Sequence, residues 1–310
     1  MRPPECTLGP GRHCRALRVA TSASLLLLCA TPALARDVAQ EADQAPGPLP
    51  SETAGPDRFF LWTDTSISAL PYGYGFEVDP REQSTITIEH AHASKIGDFF
   101  GFVDFTKFHG APSGSDTETW YGEFGPRLSF GKIFDKQISF HLFSWSAFEV
   151  KDVLLATTYE RGEDPDVAEA ALVGIGLDLD VREKGFLGTL GKFNYVQMNL
   201  YGRAELTENT RSGFRDVQMT MIASYPFKVG RADWLLDGYF DWVMGFGSED
   251  WSYHLNPQLT VDLGALVWDV PKKFFAGVEI DLWWNKYQIP DSPAFDTNQQ
   301  AVSLLFKLHF

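Results

Sequence analysis

The sequence predicts an all-β chain, a twelve-stranded antiparallel transmembrane β-barrel of the bacterial outer membrane, and three observations carry that expectation. First, Arg2, Arg12, Arg15 and Arg18 precede the apolar run Ala23 to Ala30, and Ala33-Leu34-Ala35 is a small-x-small cleavage site, the layout of a Sec-type signal peptide cut near Ala35. Second, from Phe59 onward, apolar-polar alternation recurs in segments separated by Gly, Asp, Asn, Ser and Pro, with no amphipathic helix between them. Third, the chain closes on such a segment, with Val302, Leu304, Phe306, Leu308 and Phe310 on one face and Ser303, Lys307 and His309, with Leu305, on the other.

The elements follow in order. Residues 1–35 are the leader, residues 36–57 a Pro-, Ala- and acid-rich flexible periplasmic linker without periodicity, and residues 58–310 the barrel. Strands are expected at 59–69, 83–92, 97–108, 118–131, 138–148, 169–181, 193–206, 215–227, 232–245, 253–264, 273–288 and 299–310. The gaps between them read as alternately long and short, with the longest loop at about 149–168, as expected for long outer loops and short periplasmic turns. A secreted β-sandwich or jelly roll also explains a leader and many strands, but neither the gap pattern nor an apolar face on every strand. Beyond the leader no apolar stretch reaches the ~18 to 20 residues of a spanning helix, so any membrane crossing must use strands.

Composition excludes several classes. The 310 residues hold 26 Lys and Arg against 41 Asp and Glu, for a net charge of −15 at pH 7, and loss of the leader removes four Arg and one Glu. Such a chain repels phosphate backbones, so no nucleic-acid partner is expected. Cys6, Cys14 and Cys29 all precede the cut, which leaves neither a disulfide nor a cysteine metal site.

Taking the more apolar register of each strand as lipid-facing assigns the lumen, because a charge facing lipid near the midplane costs ~2 to 4 kcal/mol. Strand six turns Ala171, Val173, Ile175, Leu177, Leu179 and Val181 outward and Asp178 and Asp180 inward. The same rule turns Tyr121, Glu123, Arg127, Tyr201, Arg203, Asp237, Tyr239, Asp241, His254, Asp262, Glu279, Asp281, Trp283, Asn285 and Tyr287 inward, together with Asp64 and Glu89. In the third strand Asp98 and Asp104 force Phe100 and Phe102 into the lumen with them. Acids then outnumber Arg127, Arg203 and Lys307, so the lumen disfavours anions, while the aromatic rings offer planes for a flat permeant. Charge-network packing explains any one of these acids equally well. Trp62, Trp120, Trp242, Trp268 and Trp284 read as an interfacial girdle.

Other chemistry is sparse. His90 and His92 share a face but have no assigned third metal ligand, so no metal or other cofactor is expected. The run Glu160 to Asp166 lacks a calcium-loop signature and reads as a solvated acidic loop, bridged to lipopolysaccharide by divalent cations at most. A barrel phospholipase needs Ser, His and Asn on the rim; the nearest combination, His141 with Ser144, points in opposite directions in the expected register, so no enzyme is expected.

Ser84 to Phe108, "STITIEHAHASKIGDFFGFVDFTKF", and Gly122 to Phe134, "GEFGPRLSFGKIF", with the spaced Trp62, Asp64, Ser66 and Ser68, resemble hairpins of the nucleoside-specific channel-forming family, Tsx and the related OmpK proteins. The resemblance is specific in the first third of the barrel and one of pattern thereafter. It implies a monomeric barrel of the Gram-negative outer membrane that passes nucleosides by diffusion, with Glu89, Asp98, Phe100, Phe102, Asp104, Glu123 and Arg127 lining the path. It implies in some members a role as phage or bacteriocin receptor, while Phe310, a terminal aromatic that closes the last lipid-facing row, itself resembles the signal read by the outer-membrane assembly machinery. A general small-solute porin, or a structural or receptor barrel, is the alternative.

Overall fold

The computed structural model describes residues 59–111, 115–141, 146–163, 169–181, 189, 191–206, 213–246 and 250–310. The expected leader, its cleavage site, the linker, the three cysteines and Ser144 lie outside the described residues. So does the last part of the acidic run, residues 164–166.

Twelve strands run β1 (Phe60–Tyr74), β2 (Glu82–Ser94), β3 (Gly97–His109), β4 (Glu118–Ser129), β5 (Phe148–Gly162), β6 (Glu169–Val181), β7 (Tyr195–Glu205), β8 (Gly213–Val229), β9 (Ala232–Val243), β10 (Ser252–Asp262), β11 (Phe274–Trp284) and β12 (Gln299–His309). Each pairs with its neighbours in sequence, and β12 returns to β1, so the sheet closes into a barrel without a free edge. All pairings are antiparallel, and at the seam Ser66 faces His309 and Tyr74 faces Val302. With an even strand number, the start of β1 and the end of β12 lie at one end of the barrel, here called the terminal end; the other is the distal end.

Alternation decides which residues meet lipid. On β6, Val173 and Ile175 are 57% and 59% exposed; Ile86 and Ile88 on β2, Phe124 on β4 and Val302, Leu304, Phe306 and Leu308 on β12 are exposed likewise. A water-soluble protein rarely exposes more than a few hundred Å² of contiguous apolar surface. A band running round the barrel is stable only against hydrocarbon. Cross-strand pairing keeps the faces in phase: Ile88 faces Val103, while Glu89 faces Phe102 on the opposite side of the wall.

The terminal end carries two short helices, α1 (Phe130–Ile133) after β4 and α2 (Leu263–Trp268) after β10. Ser129 caps α1 by accepting from the Lys132 N–H, and Asp262 caps α2 by accepting from the Ala265 N–H. The β8–β9 turn needs only Gly230 and Arg231, with Gly230 at a φ of 62°.

Four expectations need correction. The fifth strand is not 138–148 but β5 at Phe148–Gly162, inside the segment expected as the longest loop. Within 138–148, Phe140 makes one isolated antiparallel bridge to Val150. Strand eleven ends at Trp284, because Asn285, Tyr287 and Gln288 adopt left-handed backbone. The gap alternation fails: the terminal end carries the connections at 130–147, 182–194 and 263–273, longer than most at the distal end. Finally, Trp62 faces Ala93 in the row of Asp64 and Ala91, which is the inner row, not the girdle.

Candidate functional site

The inward rows form the candidate site. Strand alternation puts Asp98, Phe100, Phe102 and Asp104 on one face of β3, and pairing sets them against Arg127, Gly125, Glu123 and Tyr121 of β4. On β2, Ala91, Glu89 and Thr87 face Phe100, Phe102 and Asp104. The Phe100 and Phe102 ring centroids are 6.0 Å apart and those of Phe102 and Tyr121 6.1 Å, a three-ring strip. Phe100 remains 46% exposed, the most open ring of the three.

Two arginines organise the wall. Arg127, only 5% exposed, grips Asp98 with Nε and Nη2 at 2.7 Å each, reaches Asp178 on β6 at 2.9 Å and donates to Asn199 Oδ1 on β7 at 3.3 Å. Arg203 on β7 pairs with Glu160 on β5 at 2.7 Å and Glu205 at 3.0 Å, and donates to Gln218 on β8. The planar guanidinium serves several carboxylates at once, which a lysine ammonium does less well. Across the barrel, Lys307 pairs with Glu89 at 2.7 Å and acts electrostatically on Asp237 and Glu279. Asp64 pairs with His309 at 2.8 Å. On the β9–β11 wall, His254 lies 2.9 Å from Asp281 and stacks on Trp283 with ring centroids 3.7 Å apart, while the Tyr239 ring meets it edge-on.

These pairs leave acids without a cation. Asp104 accepts from Thr87, Glu123 from Tyr121, Asp241 from Thr220 and Gln218, and Glu279 from Gln258, all neutral donors. The buried Asp237 Oδ1 and Ser68 Oγ have no partner among the described residues. Neutral hydroxyl or amino hydrogens are what such oxygens can accept.

Every residue singled out from sequence as lining the path, namely Asp64, Glu89, Asp98, Phe100, Phe102, Asp104, Tyr121, Glu123, Arg127, Tyr201, Arg203, Asp237 and Tyr239, stands on the inner face. Asp98 with Arg127, and Phe100 with Phe102 and Tyr121, come together; Asp237 and Tyr239 belong to a different wall, and Tyr201 packs with Ala156, Ala170 and Leu172. That last cluster is apolar and inward, which the sequence reading did not foresee. Glu160 was also missed: placed in a solvated loop, it is instead the Arg203 partner inside β5. An inward Leu154-Ala156-Thr158-Glu160 row next to Tyr159 and Arg161 was the available signal. Trp283 and His254 were placed inward, but their stacking is visible only in three dimensions.

At the distal mouth the β11–β12 connection, residues 285–298, folds inward. Lys286 is 3% exposed and donates to Asp79 Oδ2 and Gln299 Oε1 at 2.7 Å each and to the Glu77 carbonyl at 3.1 Å. Gln288 reaches the other way, to Asp216 Oδ2 on β8 and the Asp250 carbonyl, both at 2.9 Å. One short segment thus ties the β1–β2 connection to β8.

His90 and His92 face outward, 3.2 Å apart, and among the described residues no group of three or more His, Cys, Asp or Glu is placed to hold a metal. His141 lies in the connection 130–147, not on a strand.

Among solved structures the chain is similar to a KdgM porin (TM-score 0.39, 10% identity, covering 79% of this chain and 99% of that one). It is also similar to the outer membrane phospholipase A from Escherichia coli (TM-score 0.39, 8% identity, 83% and 94%) and to the Acinetobacter baumannii outer membrane protein Omp33 (TM-score 0.33, 9% identity, 81% and 99%). Nothing about substrate or activity follows from likenesses this distant. Among curated proteins none matches the chain. Residues 68–310 match the family described as "Nucleoside-specific channel-forming protein, Tsx".

Proposed function

The chain belongs to the Tsx family of channel-forming proteins, and from that premise we propose that it is a channel, not an enzyme, through which nucleosides diffuse across the Gram-negative outer membrane. The observation that carries this reading is the inner strip of Phe100, Phe102 and Tyr121, set between Asp98, Asp104, Glu89 and Glu123. A base stacks on the rings, at ~1 to 3 kcal/mol per base in single-strand binders. The ribose hydroxyls meet the carboxylate oxygens of Asp104 and Glu123, which lack a cationic partner, whereas Asp98 and Glu89 are paired with Arg127 and Lys307. A nucleotide phosphate meets the same oxygens and is repelled. Twelve strands fall between the eight that side chains just fill and the sixteen or more that leave a wide aqueous channel, which favours a constricted path with weak sites along it.

Export with cleavage near Ala35, the terminal end towards the periplasm, assembly through Phe310 and a monomeric state belong to the same proposal. So does contact with lipopolysaccharide at the distal end. A phage or bacteriocin receptor role loses the long 149–168 loop that favoured it, since β5 occupies most of that segment.

Liposome swelling with the purified full chain tests the proposal, comparing adenosine or thymidine with a neutral sugar of similar size and with the matching nucleotide. Fast nucleoside, slow sugar and excluded nucleotide support it. Phe100→Ala should then cut the preference for nucleoside over sugar roughly tenfold, the low end of a ~1 to 3 kcal/mol stacking loss. Equal nucleoside and sugar rates would make the protein a general small-solute porin, and no flux a receptor or structural barrel.

A further inference from the structure

Two histidines on the outer face of β2 are left over once permeation is explained. The outward row of this strand runs Ile86, Ile88, His90 and His92, so apolar side chains give way to imidazoles as the strand nears the terminal end. A wall that met only hydrocarbon would continue in apolar residues. His92 lies two residues before Ser94, where β2 ends, about 7 Å along the strand. Thr63, which faces His92 across the strand pair, and Lys95 just beyond are exposed, a level that head groups and water share.

The pair is held on several sides. Thr65 Oγ1 lies 2.8 Å from His90 Nδ1, and His90 Nε2 lies 3.2 Å from His92 Nδ1. The Phe99 ring stacks on His92 with centroids 5.2 Å apart, and the Phe60 ring meets His92 edge-on at 4.8 Å. Phe99 can lie there because the next outward residue of β3 is Gly101, where a Cβ would come within 2.8 Å of the Phe99 ring. Two ring nitrogens thus face each other on a wall that restrains both rings.

Their separation selects a ligand. Nitrogens 3.2 Å apart, each ~2.0 to 2.1 Å from a shared ion, subtend ~100 to 106° at it. That angle is close to tetrahedral, the geometry of zinc, and wider than the right angle of square-planar copper(II).

We propose that His90 and His92 chelate one Zn2+ ion on the outer face of the barrel, with Thr65 as a positioning residue and water in the remaining two positions. The Thr65 hydroxyl accepts the His90 Nδ1 proton, which leaves a lone pair on His90 Nε2 directed at His92. Without metal, His92 Nδ1–H donates to that lone pair. On binding, the His92 proton moves from Nδ1 to Nε2 through solvent, so both facing nitrogens become ligands and both rings stay neutral. A structural zinc site takes four protein ligands; two make a weaker, exchangeable chelate. The proposal is independent of what passes through the lumen.

Calorimetric titration of the full chain in detergent with ZnCl2, prepared without an affinity tag, tests the site. The variants are His92→Gln, whose amide can still donate to His90 but brings no ring nitrogen, Thr65→Val, and His109→Ala at the distal end of β3. Heat-modifiable gel mobility establishes that each is folded. The expected result is one Zn2+ per chain at micromolar Kd in the wild type and His109→Ala, binding at least tenfold weaker in His92→Gln, and about tenfold weaker in Thr65→Val, the loss typical when a ligand's orienting partner is removed. No saturable binding by the wild type overturns the site, as does a His92→Gln variant that binds equally well. Equal weakening in His109→Ala would overturn it too, by spreading the binding over scattered histidines. Unchanged affinity in Thr65→Val overturns the positioning role.

Discussion

At the residue scale, Arg127 decides whether the β3–β7 wall holds its shape. Replacing it by Met leaves Asp98 and Asp178 without their cation in a confined space, and breaking a buried pair from one side costs about 3 to 5 kcal/mol. The half-open Asp178 side, 35% exposed, puts the expected loss at the low end. Unfolding in guanidinium from lipid vesicles should show it, and R127M/D98N should recover part of the loss, since removing both partners leaves less charge stranded. An R127M barrel as stable as wild type would mean that water already screens the network. The arginine's inward direction was legible in the sequence, because lipid forbids the alternative. Its three partners were not, since which polar groups converge depends on how far each strand is staggered against the next, and no local pattern records the stagger.

At the element scale, eleven strands could be placed from alternation because lipid on one side imposes an apolar row. The fifth could not, for a physical reason: β5 presents Leu154 and Ala156 inward, against Leu172 and Tyr201, so neither of its faces is distinctly polar. The neighbouring Ile138 to Phe148 alternates more cleanly and attracted the assignment. The error also shortened one gap and lengthened another, which produced an alternation of loop lengths that the barrel does not have. Where the row is clear, its energetics can be checked: Leu304→Arg on β12, at a position 50% exposed to lipid, should cost ~2 to 4 kcal/mol if it sits near the midplane. Ser303→Arg, one residue along and facing inward, should instead alter flux. The distal strap gives another test. Lys286→Met removes three hydrogen bonds that tie residues 285–288 to Glu77, Asp79 and Gln299, so single-channel conductance should rise and fluctuate. Unchanged conductance would place the narrowest point below the mouth.

At the scale of the whole molecule, charge is distributed along the axis. Among the described residues, connections at the distal end carry Glu77, Asp79, Asp116, Glu163, Asp250, Asp291 and Asp296 against Arg81 and Lys286; those at the terminal end carry Lys95, Lys132, Lys136, Lys192, Arg231, Lys272 and Lys273 against Asp135 and Asp269. With the acidic lumen between, a planar bilayer holding the protein under a KCl gradient should show a reversal potential of cation-selective sign and current that depends on the direction of the voltage. Both effects should shrink towards 1 M salt, where the screening length falls to ~3 Å. An anion-selective reversal potential would contradict the lumenal assignment of the carboxylates. Closure of the sheet between β1 and β12 has a further consequence, for the order in which the molecule can come into being. The contact of Ser66 with His309 spans nearly the whole barrel sequence, so the most demanding loop to close is also the one that completes the cylinder, and high contact order of this kind folds slowly. Until β12 has been translated and delivered, β1 and β11 are raw edges open to pairing with any other strand. The chain must therefore be escorted unfolded to its membrane, and a copy cut before Gln299 is not a smaller channel but a nucleus for aggregation.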